Sequence, residues 1–175
     1  MESYSFHKPV MLDEMLQHLS PKDNKIYVDC TFGAGGYSKA ILKSADCSVI
    51  AIDRDPDVIK FANQICDKKF KFNLAKFSEI KSVLNENNTT KIDGIILDLG
   101  VSSMQLDERS RGFSFMSEDY LDMRMSKEGI DARYVINNYS EEKIADIIYY
   151  FGDERDARKI ARRICNQRIK KEIVT

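Results

Sequence analysis

The sequence predicts an α/β fold, in which helices connect the strands of a parallel sheet. Over the first hundred residues, short apolar runs alternate with amphipathic segments, as they do in sheets with crossover helices. The first apolar run, Ile26–Asp29, leads into a glycine-rich turn and then into a helical pattern. A chain of 175 residues can hold one such domain and an appendage.

The elements follow from the apolar patterns in chain order. We expect strands near residues 26–29, 49–53, 69–74 and 94–98, with helices over 39–43, 56–65 and 78–85 between them. Asp55 is placed to cap the second of these helices, because Pro56 suits the first helical position. The sequence thus divides into a Rossmann-like domain over 1–104 and a second region over 105–175.

The second region begins with a long stretch, 101–131, that has neither helical nor strand periodicity. A loop of this length usually binds something or carries short helices. Ser140 then predicts the start of a helix, whose apolar face holds Ile144, Ile147, Ile148 and Phe151. A last helix from about residue 153 has an apolar side formed by Ala157, Ile160, Ala161 and Ile164. The second region is therefore expected to be helical.

Composition excludes several classes of protein. The formal net charge of -1 argues against a uniformly basic nucleic-acid coat, so an RNA contact would need a local patch. Four cysteines and two histidines are scattered without a Cys-x-x-Cys pair, which favours reduced thiols and no metal site. No apolar run is long enough to span a bilayer, and residues 1–5 do not resemble a signal peptide. We expect a soluble, cytoplasmic protein.

The glycine turn indicates a site for a nucleoside cofactor. Gly33, Gly35 and Gly36 allow a tight turn on which a ligand can lie directly against the main chain. Asp53 ends the next strand, where a carboxylate can accept hydrogen bonds from ribose hydroxyls. The turn fits the dinucleotide fingerprint only in part, because Ser38 replaces its last glycine, and no Walker-type lysine follows. S-adenosylmethionine fits best, and a nicotinamide-dependent oxidoreductase stays open.

Asp98 is the candidate catalytic residue. The run 95–101 delivers this carboxylate to the carboxyl end of a strand, where ligands bind in open α/β sheets. An amine on an aromatic ring is a poor nucleophile. Transfer of a methyl group to such an amine therefore depends on hydrogen-bond acceptors that hold the amine hydrogens in a productive orientation. Asp98 and the carbonyls of residues 99–101 would serve as those acceptors, rather than as a strong base. The alternative is an aspartate that only caps a turn.

Six sequence blocks, taken in order, resemble one known family. The blocks are His-Lys-Pro-Val-Met-Leu-Asp-Glu at 7–14, Asp-Cys-Thr-Phe-Gly-Ala-Gly-Gly at 29–36, Ala-Ile-Asp-Arg-Asp-Pro at 51–56, Leu-Asp-Leu-Gly-Val-Ser-Ser at 97–103, Arg-Gly-Phe-Ser-Phe-Met at 111–116 and Leu-Asp-Met-Arg-Met at 121–125. They are similar to the bacterial RsmH, or MraW, family, which methylates N4 of a cytosine in small-subunit ribosomal RNA. The resemblance implies a class I methyltransferase fold, S-adenosylmethionine as methyl donor, and a cytidine in the decoding region of 16S ribosomal RNA as acceptor.

The resemblance also implies which residues contact the cofactor. Together with Gly33 from the turn itself, these are Gly35, Gly36, Tyr37, Asp53, Phe77, Asp98 and Gln105. The family commonly has histidine at the position of Tyr37 and proline at that of Met104. Main-chain contacts at Tyr37 would survive the first change, whereas the second loosens the turn that leads to Gln105. For Phe77, packing on the sheet edge is an equal alternative.

Two features of the second region are candidates for binding RNA. In the long loop, Arg111, Phe113, Phe115 and Arg124 are suited to stacking on a base and gripping phosphates, although the two phenylalanines could instead fasten the loop. The last helix presents a side formed by Arg155, Arg158, Lys159, Arg162 and Arg163. Nearby acidic residues make a solvated face with internal ion pairs the alternative.

Members of the family continue well past residue 175, so the resemblance covers only part of the family's length. The strand that ends at Asp98 would then form an apolar sheet edge, which is prone to pair with another chain. We expect this piece to be poorly soluble, to form a homodimer through that edge, or to be inactive. A non-catalytic RNA-binding module remains a further alternative.

Overall fold

The computed structural model describes residues 9–175, and the chain folds as two compact units. The first unit ends at Ser102 and the second runs from Ser103 to Thr175. The predicted α/β class is confirmed, because the first unit holds a parallel four-stranded sheet with helices. The sequence block that begins at residue 7 lies partly outside the described residues.

The sheet of the first unit has the order β3-β2-β1-β4. Its strands are β1 (Ile26–Asp29), β2 (Ser48–Asp53), β3 (Phe70–Leu74) and β4 (Gly94–Ile96). All neighbouring strands run parallel, with Val28 opposite both Ile50 of β2 and Ile95 of β4. Within the described residues, β4 pairs only with β1 and therefore forms one edge of the sheet.

Eight α-helices occur in the described residues. They are α1 (Leu12–Leu19), α2 (Gly36–Ser44), α3 (Ile59–Ala62), α4 (Ile80–Glu86), α5 (Ser103–Asp107), α6 (Ala132–Asn138), α7 (Glu141–Gly152) and α8 (Ala157–Lys170). Three short 3₁₀ turns precede α3, precede α4 and follow α5, at Pro56–Val58, Phe77–Glu79 and Arg109–Arg111. The long stretch 101–131 thus carries short helices, one of the two outcomes that its length predicts.

The core of the first unit lies on both faces of the sheet. On one face, Tyr27 and Val49 pack against Ile41 of α2, with side chains of α1 beside them. On the other face, Ile50 and Ile52 pack against Val83 of α4. Burial on both faces explains why the central strands read as continuous apolar runs rather than as alternating patterns.

Several predicted bounds differ from the structure. The strand expected over 94–98 ends at Ile96, because the Asp98 amide donates to the Thr31 hydroxyl, 2.8 Å away, instead of continuing the ladder. The helix expected over 56–65 is a 3₁₀ turn followed by the single turn of α3. Asp55 caps this segment as predicted, since its carboxylate accepts a hydrogen bond from the Asp57 amide at 3.0 Å.

The second unit is built on the hairpin of α7 and α8. Ser140 caps α7 as predicted, by accepting a hydrogen bond from the Lys143 amide at 3.3 Å. Its core joins Ile144 and Ala145 of α7 to Ala161 and Cys165 of α8.

Three predictions for this unit are wrong. Phe151 is 88% exposed rather than part of the apolar face of α7, and Ile160 is also exposed. The last helix begins at Ala157 rather than near 153, because Asp153 adopts a left-handed conformation with φ of 49°. The hairpin turn therefore occupies residues that the periodicity assigned to a helix.

Among residues 9–175, none of the helices combines the length and the apolar character that a membrane span requires.

Candidate active site

The predicted cofactor residues of the first unit lie at or just after the carboxyl ends of the strands. Because the strands are parallel, the carboxyl ends of β1, β2 and β4 meet at the same edge of the sheet. The segment after β1 keeps bonding to both neighbours: the Cys30 amide donates to the Ile96 carbonyl at 2.9 Å and the Phe32 amide to the Ile52 carbonyl at 3.1 Å. The glycine turn thus begins at the end of β1, which lies between β2 and β4 in the sheet.

The glycine turn needs glycine for two separate reasons. Gly33 and Gly35 have φ of +53° and +79°, in the left-handed region that side chains disfavour. A Cβ on Gly35 would also lie 2.7 Å from the ring of Phe32, whereas one on Gly33 would meet nothing closer than 4.0 Å. The turn leads directly into the first residues of α2, which exposes main-chain groups beside a helix N-terminus.

Asp53 ties this turn to the end of β2. One carboxylate oxygen accepts a hydrogen bond from the Gly33 amide at 2.8 Å, and the other accepts one from the Asp55 amide at 2.9 Å. Burial raises the pKa of Asp53, while these two amides act in the opposite direction. A carboxylate offers about four acceptor positions, and the Arg54 amide also acts on this carboxylate, so Asp53 keeps acceptor capacity for a further donor such as a ribose hydroxyl.

Asp29 is a buried acid that the sequence patterns did not single out. Its side chain is inaccessible to solvent, accepts a hydrogen bond from the Ser38 hydroxyl at 2.7 Å and accepts a longer one from the Thr31 amide at 3.3 Å. Burial raises the pKa of Asp29 to about 6, against the effect of the Ser38 hydroxyl. Asp29 thus fixes both ends of the glycine turn. The available signal was Ser38, which stands where the dinucleotide fingerprint has glycine.

Tyr37 and Asp98 meet at the carboxyl end of β4. The Tyr37 hydroxyl lies 3.2 Å from a carboxylate oxygen of Asp98 and 2.6 Å from the carbonyl oxygen of Val10. Burial, followed by the charge of Asp98, raises the pKa of Tyr37 to about 12, so the phenol is neutral near pH 7. Asp98 itself is exposed. The structure therefore leaves an accessible carboxylate beside the glycine turn.

Phe77 and Gln105 lie on different units. Phe77 begins the 3₁₀ turn after β3 and is 44% exposed, so part of its ring is accessible at the carboxyl end of the sheet. Gln105, on α5 of the second unit, is 5% exposed. Their roles as cofactor contacts stay predictions.

The two arginines predicted to bind RNA, Arg111 and Arg124, form hydrogen bonds within the long loop. Arg111 is 5% exposed, and its guanidinium donates to the carbonyls of Arg124 and Met125 at 2.9 and 3.1 Å. The guanidinium of Arg124 makes two hydrogen bonds to Asp122, at 3.0 and 2.6 Å, which hold the pKa of Asp122 below its usual range. These contacts give both arginines a structural role, and their contact with RNA stays a prediction.

The two phenylalanines of the predicted substrate set differ in exposure. Phe113 is half-buried, and the guanidinium of Arg111 lies 6.0 Å from its ring centre. Phe115 is 97% exposed. Phe113 therefore helps to fasten the loop, whereas the whole Phe115 ring is available for stacking.

The cations of the last helix lie on the exposed side of α8. The set consists of Arg155 and, on α8 itself, Arg158, Lys159, Arg162 and Arg163. Lys159 pairs with Asp156 at 2.7 Å and Arg162 with Glu141 at 3.4 Å. Exposed pairs contribute at most about 1 kcal/mol each, so these cations could exchange carboxylates for phosphates at small cost.

Over residues 9–175, histidine, cysteine, aspartate and glutamate side chains form no group of three or more that could hold a metal ion.

A glycine turn after the first strand of a parallel sheet, with an acid at the end of the second strand, defines a class of α/β domains that bind a nucleoside cofactor. Comparison with known sequences narrows this class. The chain belongs to the MraW methylase family, whose profile matches residues 4–175. The resemblance seen in the six sequence blocks is confirmed.

Curated relatives agree with this assignment. The chain is 55% identical over 173 residues to a protein of Wolbachia sp. subsp. Drosophila simulans (strain wRi), covering 97% of this chain and 59% of the relative. It is 54% identical over 165 residues to a protein of Rickettsia massiliae (strain Mtu5), covering 93% and 53%. Both are named ribosomal RNA small subunit methyltransferase H. The chain thus spans between half and three fifths of the length of these relatives.

Proposed function

We propose that the protein transfers a methyl group from S-adenosylmethionine to N4 of a cytidine in the decoding region of 16S ribosomal RNA. The observation that carries the proposal is the glycine turn bonded to Asp53, in a chain of the MraW methylase family. The relatives' names support ribosomal RNA of the small subunit as the substrate class. A ribosomal substrate would place the protein in the cytoplasm.

The residues of the first unit suit the adenosine part of this cofactor. The acceptor capacity left on Asp53 suits a ribose hydroxyl. The turn at Gly33 and Gly35 presents main-chain groups without side chains that would block a close approach. The accessible part of Phe77 offers a face for an aromatic base. When bound, S-adenosylmethionine would supply an electrophilic methyl group.

Asp98 would orient the amine that accepts the methyl group. Its carboxylate is exposed at the carboxyl end of β4, and the Thr31 hydroxyl fixes its backbone amide at 2.8 Å. An orienting acceptor acts by positioning, which can lower a barrier by roughly 7 to 11 kcal/mol when reactants are well aligned. After transfer, the ammonium product is acidic and gives up its proton readily to water, so no strong base is required.

The second unit would contribute the contacts with RNA. Phe115 presents an aromatic ring that is almost fully accessible, as a residue that stacks on an unpaired base requires. The exposed cations of α8 offer positive charge for phosphates. Both features lie on the unit that follows the sheet, and the sheet unit carries the predicted cofactor residues other than Gln105.

Cofactor binding is tested by titrating the chain with S-adenosylmethionine and, separately, with NAD in a calorimeter. We expect heat from S-adenosylmethionine alone, and we expect Asp53→Ala to weaken its binding by tenfold or more. Preferential binding of NAD would favour the oxidoreductase. RNA binding with steep salt dependence but without cofactor binding would favour a non-catalytic RNA-binding module.

Catalysis is tested by incubating small ribosomal subunits with labelled cofactor and the protein, and then mapping the modified base. Asp98→Ala should abolish transfer, while Asp146→Ala, at an exposed position on α7, should leave it unchanged. A normal single-turnover rate in the Asp98 variant would reject the orienting role. Modification of a base other than cytosine would reject the proposed acceptor.

A further inference from the structure

The hydroxyl of Tyr37 lies between two acceptors. Its oxygen is 2.6 Å from the Val10 carbonyl oxygen and 3.2 Å from a carboxylate oxygen of Asp98. A neutral phenol has one proton, so two acceptors at its oxygen compete for it. The contact with Val10 has the length of a normal O–H···O bond, whereas that with Asp98 is longer than usual. The geometry therefore favours Val10 as the acceptor and leaves Asp98 as the weaker competitor.

Val10 belongs to residues 9–11, here called the N-terminal strap. Pro9 packs on the first residue of α2, since a Cβ at Gly36 would clash with the ring of Pro9. The side chains of Val10 and Met11 are 70% and 66% exposed and add little contact. Met11 also has φ of 51°, a left-handed conformation that costs about 1 kcal/mol or more. The Met11 carbonyl accepts a hydrogen bond from the Met15 amide at 2.8 Å, so α1 fixes the end of the strap, and the Val10 hydrogen bond is one of the few contacts that hold the rest.

We propose that Tyr37 is a positioning residue that shares one proton between the N-terminal strap and Asp98. With the strap closed, Tyr37 donates to Val10, and Asp98 keeps an acceptor oxygen for a donor from a ligand. With the strap open, Tyr37 donates to Asp98 and occupies that oxygen. This inference rests on the proposed function, because Asp98 acts on a ligand only in that proposal.

Because Val10 and Asp98 compete for the Tyr37 proton, binding of a ligand at Asp98 is coupled to closure of the N-terminal strap. A ligand N–H that binds Asp98 competes with the Tyr37 hydroxyl and favours donation to Val10. Because coupling between sites is reciprocal, a closed strap must favour ligand donors at Asp98 by the same factor. Tyr37 would therefore act on the ligand through Asp98 and the strap, and its hydroxyl need not touch the ligand.

The test is the ¹³C chemical shift of the Val10 carbonyl in the free, labelled chain, because accepting a hydrogen bond moves this resonance downfield. Tyr37→Phe keeps the ring and removes the donor, so the resonance should move upfield. Asp98→Ala removes the competing acceptor and leaves the Tyr37 proton to Val10, so the resonance should move downfield. A role of the ring in packing alone would produce neither change.

Two results would overturn the proposal. The first is a Val10 resonance that does not move in Tyr37→Phe, and the second is movement in the same direction in Tyr37→Phe and Asp98→Ala. Asp98→Leu is a second variant at the same exposed position; it also removes the competing acceptor and should move the resonance downfield. If Tyr37→Phe fails to fold, no downfield movement in either Asp98 variant would refute the sharing.

These measurements need neither cofactor nor RNA. A negative result would therefore leave the cofactor titration standing. Conversely, failure of S-adenosylmethionine to bind would refute the proposed function. It would not affect the predicted upfield shift of the Val10 carbonyl in Tyr37→Phe or its downfield shift in the Asp98 variants.

Discussion

Replacing Gly35 by alanine tests the glycine turn by steric means. An alanine at φ of +79° costs about 1 to 2 kcal/mol, because its Cβ approaches the following carbonyl oxygen. The Cβ would also lie 2.7 Å from the ring of Phe32. That ring cannot move aside easily, since it is 2% exposed and its centre lies 5.7 and 5.2 Å from the ring centres of Phe70 and Phe72. Such overpacking typically costs about 1 to 3 kcal/mol.

Gly33→Ala is the matched control. Gly33 also has positive φ and lies in the same turn, but a Cβ there meets nothing closer than 4.0 Å. Both substitutions restrict the unfolded chain equally, so that effect cancels between them. We therefore expect Gly35→Ala to lower the free energy of unfolding by about 2 to 5 kcal/mol and Gly33→Ala by about 1 to 2 kcal/mol.

The assay is amide hydrogen exchange of β1 and β2 under increasing urea, so that only the unit that carries the turn is measured. The difference between the two variants, about 1 to 3 kcal/mol, isolates the clash with Phe32. Equal losses in the two variants would refute the reasoning, because the close approach of Gly35 to Phe32 would then have no energetic consequence.

Two further predictions concern buried charge and the sheet edge. Burial raises the pKa of Asp29 from 3.8 to about 6. The free energy of unfolding of the protein should therefore fall by up to about 3 kcal/mol as the pH rises from below 3.8 to above 6. Asp29→Asn cannot ionise and should therefore gain stability relative to the native protein between pH 4 and pH 6; a difference that does not vary with pH would contradict this. Ile95→Lys, on the edge strand β4, should reduce dimer formation in sedimentation velocity, since charge on an edge opposes strand pairing. Ile130→Lys is the control at an exposed site on the second unit, and equal behaviour of both variants would exclude β4 as the interface.

Sequence patterns located the central strands β1 and β2 because strands buried on both faces must be apolar throughout, and they located the edge strands β3 and β4 from shorter apolar stretches. All four lie within two residues of their predicted bounds. The early end of β4 could not be read from its apolar run, since the run continues to Leu97. What ends the strand is a tertiary contact, the hydrogen bond from the Asp98 amide to Thr31.

Short-range patterns were less informative about side chains whose role depends on distant partners. Arg111 has the residue type of a phosphate contact, but its guanidinium holds carbonyls more than ten residues away in the chain. Phe151 fits the apolar period of α7, yet the helix ends at Gly152, where no partner helix covers it within the described second unit. The part played by Asp29 appeared only once Ser38 and Thr31 were placed around it.

The most direct test of the cofactor site is to titrate ¹⁵N-labelled chain with S-adenosylmethionine and to map the amide resonances that move. We predict the largest changes at residues 33–37 and at Asp53, because the ribose and the main chain of the turn would share one site. Asp53→Ala should abolish these changes, and Asp146→Ala should not. Saturable changes confined to other parts of the chain, or none at all, would contradict a methyl-donor site at the glycine turn.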